Sequence, residues 1–137
     1  MFPALVVVAA VLASGAAPVN PFPDVNPDKF EGLAKDSFAA WSYGWDSVKT
    51  NGSVKTLLVQ SLYATPTAFP GSPTPAAYSI HTMAIDCAGK TVNVINGANY
   101  STSDAFLSLG SSTGTFPWSD MTTGFQSFAG QVCAPGF

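Results

Sequence analysis

Between residues 40 and 111 the apolar positions recur mostly every second residue in short runs, the period of strands with one buried face. The runs are AWSYGWDS (40–47), SVKTLLVQSLYA (53–64), YSIHTMAIDC (78–87), TVNVINGANY (91–100) and AFLSLGS (105–111). The linker VKTNG separates the first two, and Asn51-Gly52 near its end predicts a hairpin tip. Turns are also expected at Ala88 to Lys90 and at Ser101 to Asp104. Between the second and third runs, TPTAFPGSPTPAA carries Pro66, Pro70, Pro73 and Pro75, which cannot donate to a ladder and predict an exposed loop. The expectation is about five antiparallel strands.

Both ends of the chain depart from period two. In TTGFQSFAGQVC, Phe125, Phe128, Ala129 and Val132 recur at helical intervals, with Thr123 and Gln126 spaced as a capping box. Near the start, NPDKFEGLAKDSF predicts a brief helix capped by Asn26 with Pro27 at its first position, weakened by Gly32. The same stretch places Asp24, Asn26 and Asp28 at calcium-loop spacing. Lys29 replaces the required glycine and Lys35 the required glutamate, so no calcium site is expected. Ahead of it, ALVVVAAVLASGAA is an apolar run ending in small residues and followed by PVNPFP, the layout of a cleavable leader, although no Lys or Arg precedes it. The run is too short for a spanning helix, which needs about 20 apolar residues. The expected organisation is a signal peptide over 1–17, a Pro-rich segment with a short helix over 18–40, and an α+β domain over 41–137.

Composition narrows the classes of function. The chain has 137 residues, of which 9% are charged, and its net charge is -3 with lysine as the sole strong base type. A basic stripe able to neutralise phosphates is missing, so nucleic acid is excluded as a partner. Export bears on the two cysteines: an even count in an oxidising compartment predicts a bond between Cys87 and Cys133. Their sequence separation of 46 corresponds to roughly 4 kcal/mol of lost unfolded-state entropy. One histidine and no Cys-x-x-Cys leave too few ligands for zinc and no redox motif, so no metal and no cofactor are expected. On the run ending at Cys87, alternation puts His81, Met83, Ile85 and Cys87 on one face, so the bond would pin the terminal helix to that face.

The order of WSYGWDS, AIDCAGKTVNVINGANY, the Trp of FPWSD and a helix ending in GQVC, over residues 41 to 133, resembles the surface-adhesin protein E-like family of small exported bacterial proteins. The resemblance implies an α+β fold in which an antiparallel sheet carries a helix on one face. It also implies a surface or envelope role without cofactor, which in some members is adhesion to host extracellular matrix. Members are often lipoproteins, whereas LASGAA holds no cysteine to carry a lipid, so the expected product is exported to the periplasm or the cell surface and is not lipidated.

Catalysis is poorly supplied. His81 and Asp86 are an odd number of residues apart and face opposite ways on a strand, Glu31 is the sole glutamate, and no nucleophile elbow, zinc-protease motif or phosphate loop is present. His81 reads as a strand residue satisfied by a local hydrogen bond. The expectation is a non-catalytic binding or adhesion module with a protein partner, either extracellular matrix or an envelope protein, and with homodimerisation open. The alternative is an envelope structural or assembly protein without a host ligand. Candidate binding residues are Phe69 on the Pro-rich loop, as an exposed anchor, and Trp41, Tyr43 and Trp45 on one strand face.

Overall fold

The computed structural model describes residues 17–110 and 112–137, so the expected leader lies, but for Ala17, outside the described residues. One antiparallel sheet is built from β1 (Phe30–Lys35), β2 (Ala39–Gly44), β3 (Lys49–Asn51), β4 (Val54–Thr67), β5 (Ala76–Asp86), β6 (Thr91–Tyr100), β7 (Phe106–Leu109) and β8 (Gly114–Pro117). It is followed by helix α1 (Thr123–Val132). The strand order is β1-β2-β4-β5-β6-β7, with β3 beside β4 and β8 beside β6. Eight strands replace the expected five, yet the sheet is six strands wide. β2 and β3 lie end to end along β4, and β7 and β8 share one edge of β6. No helix among the described residues is long and apolar enough to cross a membrane.

The differences have local causes. Asn26 and Pro27 do start a helical turn, with Asn26 Oδ1 accepting from Asp28 N at 2.9 Å, but it stops as a single 3-10 turn at Lys29. The rest of the expected helix becomes β1, because FEGLAK has no continuous apolar stripe at helical spacing and β2 offers it a ladder from Phe30↔Gly44 to Lys35↔Ala40. β2 pairs with β4 as expected, while the tight turn at Asn51 joins β3 to β4, with Gly52 at φ 62°. Pro66 lies inside β4 rather than in a loop. It is accommodated where the register slips between Leu62 and Thr67, so its missing donor interrupts no regular ladder.

The two faces of the sheet are covered differently. Beneath α1, Leu57, Val59, Met83, Ile85, Val92 and Val94 pack against Phe125, Phe128, Ala129 and Val132, the four positions whose spacing predicted the helix. A bulge at Ile95 changes the phase of β6, so Val94 and Gly97 share this face despite their odd separation. On the other face, Tyr78, Ile80, Ala98 and Tyr100 are covered by Phe22, Val25 and Phe30 from the N-terminal segment. Asn20 fastens that segment, since its Oδ1 accepts both from Tyr100 OH at 2.6 Å and from Phe22 N at 3.0 Å.

Helix α1 is held at each end by a tertiary contact. The expected capping box does not form: Thr122 is the N-cap, its side chain makes no cap bond, and Gln126 Nε2 donates instead to Met121 O. Asp36, in the β1–β2 turn, takes the helical Gly124 N–H with Oδ2 at 2.8 Å and accepts Phe38 N and Ala39 N with Oδ1. Burial opposes its charge, but the hydrogen bonds from Gly124, Ala39, Thr122 and Phe38 outweigh it and hold its carboxyl below the usual range. Gly124 is needed there, because a Cβ would come within 2.6 Å of Trp41 Cζ3 and 2.7 Å of Asp36 Oδ2. At the other end Cys133 is bonded to Cys87 across a Cα–Cα distance of 5.6 Å. Asp86, one residue earlier, organises the β5–β6 turn by accepting from Ala88 N, Gly89 N and Ser53 Oγ.

Two outcomes follow from this clamp. Reduction of the purified protein should add the mass of two hydrogens, and replacing both cysteines by alanine should lower unfolding stability in denaturant by about 2–4 kcal/mol. Asp36→Ala should lower the melting temperature at neutral pH. Because the folded pKa of Asp36 is depressed, its contribution is complete above the unfolded carboxyl range near about pH 4. It disappears as pH falls through the lower folded value, so the melting curves of the two proteins should converge at acid pH.

Candidate functional site

At ten residues α1 spans only about 15 Å and leaves one end of its face of the sheet uncovered. There the apolar phase of four neighbouring strands turns polar in register. Ser61 of β4, Ser79 of β5, Asn99 of β6 and Ser108 of β7 are successive cross-strand partners, and all four are buried. Ser79 Oγ donates to Asn99 Oδ1 at 2.6 Å, and Asn99 Nδ2 donates to Ser108 Oγ at 2.9 Å. A hydroxyl has one proton, and that of Ser79 is committed to Asn99. The 2.7 Å contact between Tyr63 OH and Ser79 Oγ is therefore donated by Tyr63, whose phenol burial keeps protonated. Tyr63, Ser79, Asn99 and Ser108 form a directed chain of hydrogen bonds in which the Tyr63 oxygen keeps its lone pairs and the Ser108 hydroxyl keeps its proton.

The next row inward is Val59, His81 and Gly97. The His81 imidazole lies against the bare α-carbon of Gly97, where a Cβ would stand 2.2 Å from its Cδ2. A Cβ on Gly110 would stand 3.1 Å from its Nε2. Gly110 is drawn in by a 2.7 Å bond from its N–H to Gly97 O. The local hydrogen bond expected for His81 is not made: Nδ1 is buried and has no partner among the described residues. Burial pushes the His81 pKa down, so the ring is neutral at neutral pH.

Ser61 and Asn99 of the first row and His81 of the second line a cavity of ≈ 390 Å³. One wall is a run of aromatic contacts, Phe69 on Tyr63 at 5.6 Å, Tyr63 on Phe38 at 5.5 Å and Phe38 on Trp41 at 6.2 Å. The opposite wall includes Phe116 and Met121, brought there by β8 and the turn before α1. Asp120 is the sole carboxylate of the lining and is exposed, and no lysine contributes. Among the described residues no three His, Cys, Asp or Glu side chains cluster as metal ligands.

The candidate residues named from sequence are dispersed. Trp41, at 4% exposure, is a core residue stacked 6.3 Å from Phe125 and reaches the cavity from below. Tyr43 packs on Phe137, and Trp45 lies past the end of β2, 53% exposed beside Lys29. The three do not form one surface, because the strand ends at Gly44. Phe69 is half-buried, folded back onto Tyr63 as part of the cavity wall rather than projecting as an anchor. His81 and Asp86 are not brought together: the first is in the cavity and the second in the β5–β6 turn. The polar row escaped sequence reading, although its signal was available as serine or asparagine at core-phase positions near the same end of consecutive strands.

The contact between His81 and Gly97 can be tested. A methyl group on a strand glycine ordinarily helps through reduced unfolded-state entropy, so Gly97→Ala alone discriminates. It should destabilise by about 1–3 kcal/mol, and His81→Ala in the same chain should restore most of the loss in thermal melting.

No protein-family model matches the chain, and no curated protein matches it. Among solved structures it is similar to protein E from non-typeable Haemophilus influenzae, with a TM-score of 0.51 and 15% identity over 85% of this chain and 82% of that one. At that identity the likeness is one of fold: an antiparallel sheet carrying a C-terminal helix.

Proposed function

We propose that this chain is an exported binding module that holds a partner without transforming it, at the cell surface or in the periplasm. The observation that carries the reading is the aromatic-walled cavity over the bare end of the sheet, where the sole histidine has no acid partner among the described residues. Nucleophilic catalysis needs a base within hydrogen-bond reach of a nucleophile and a third group to orient it. Here the Ser79 proton is committed to Asn99 and the imidazole is held by glycines. The leader-like start and the single disulfide favour export, and a fold shared with protein E is compatible with a surface role. The partner is a protein of the envelope or of the extracellular matrix, met at the rim formed by Phe38 and Phe69.

The test is retention of extracellular-matrix proteins and solubilised envelope proteins on immobilised, oxidised protein spanning residues 18–137. A variant carrying Phe38→Ala and Phe69→Ala should melt near the wild-type temperature and hold the partner at least about tenfold more weakly, as expected for aromatic hot spots. Retention that ignores both substitutions would move the binding surface elsewhere. Failure to retain anything would favour a structural role in the envelope.

A further inference from the structure

We infer that His81 is an acid-sensitive latch: on taking up a proton its ring leaves the slot between Gly97 and Gly110 and loosens the end of the sheet that α1 leaves uncovered. The inference goes beyond the binding reading, since it holds whatever the cavity receives. The slot suits a neutral ring. A Cβ on Gly97 would stand 2.6 Å from Nε2 and one on Gly110 3.1 Å from it, so that edge of the ring is pressed on bare backbone. Nδ1 is buried with no partner among the described residues. An imidazolium carries an N–H donor on both nitrogens, and a charged donor buried without an acceptor is costly. Charging the ring in place is therefore opposed, and a shift into the cavity it already lines is the route by which the charge gains water.

No neighbouring charge compensates. Val59 of β4 and Gly97 of β6 lie on either side of His81, and α1 brings Phe125, Phe128, Ala129 and Val132 to this face. The cavity lining adds two titratable groups. Tyr63 stays protonated through burial and donates to Ser79, and Asp120 is exposed in the turn before α1. Burial is accordingly the whole cause of the lowered His81 pKa. The side of the slot that yields is Gly110. It follows β7, four residues at the sheet edge whose pairing with β6 is irregular between Asn99 and Tyr100, and it is drawn to Gly97 by its N–H bond to Gly97 O. The other half of the face is clamped by Asp36 and by the disulfide, so opening stays local.

The folded pKa of His81 lies below the ordinary 6.5, so the open form binds the proton more readily and gains on the closed form as pH falls below that value. The ratio of open to closed should approach a tenfold rise per pH unit until the closed form titrates as well. His81 is the sole histidine and carboxylates ordinarily titrate near about pH 4, so the window from about pH 6.5 to about pH 5 reports on it. Two NMR measurements on the oxidised protein test the latch. The single imidazole should titrate with a midpoint below that of a histidine peptide measured alongside. Over the same window the protection of the Gly110 amide, corrected for intrinsic exchange, should fall by up to about tenfold per pH unit. The Cys133 amide, bonded to Ala129 O in α1, should keep its protection. In His81→Leu the Gly110 protection should not change with pH. An imidazole midpoint at or above the peptide's, constant Gly110 protection in the wild type, equal loss in His81→Leu, or loss at Cys133 in step with Gly110 would each overturn the inference. If the leucine variant does not fold, the wild-type midpoint and the contrast between the two amides decide it.

Discussion

The arrangement of the inner face depends on the double fastening of α1. At its N-terminus Asp36 reaches from the β1–β2 turn to the Gly124 N–H, placing a carboxylate where unpaired amides and the helix dipole favour an anion. At its C-terminus the bond from Cys133 to Cys87 ties the last turn to the end of β5. Between these points Phe125, Phe128, Ala129 and Val132 meet the apolar half of the sheet. A ten-residue helix in water is marginal by itself, so its structure is largely supplied by these tertiary contacts.

Fixing the helix over one half of the face exposes the other half, and the composition of the strands follows that division. Beneath the helix the inward positions are Leu, Val, Ile and Met; beyond it they become Ser61, His81, Ser79, Asn99 and Gly97. Buried polar groups are tolerable when they bond to one another, and the chain from Tyr63 to Ser108 does so. His81, in the next row inward, is the exception, pressed between glycines with a nitrogen unmet among the described residues. The outer face solves its own burial problem differently, by laying the Pro-rich segment from Asn20 to Val25 across stacked Tyr78 and Tyr100.

Period-two patterning was enough to identify β4, β5, β6 and β7 and the antiparallel order along them, and helical spacing identified α1 with the residues it buries. The compartment reasoning about two cysteines located the staple. These features were legible because each depends on local periodicity or on a count. β1 and β8 were not, because neither has a strong pattern and each is a strand through the partner it finds. The extended form of FEGLAK is set by β2, and that of GTFP by the free half of the β6 edge.

The candidate site shows the same division more sharply. The sequence by itself determined that the chain is β-rich with a terminal helix, poor in acid–base groups, without a basic surface, and able to form one long disulfide. Only the tertiary structure decided that Trp41 is core while Trp45 is exposed, that Phe69 turns inward, and that four small polar residues from four strands line up in one cross-strand row. The physical reason is that cross-strand register and the placement of a short helix depend on contacts between residues far apart in the chain. A bulge at Ile95 is sufficient to change which side chains of β6 enter the cavity.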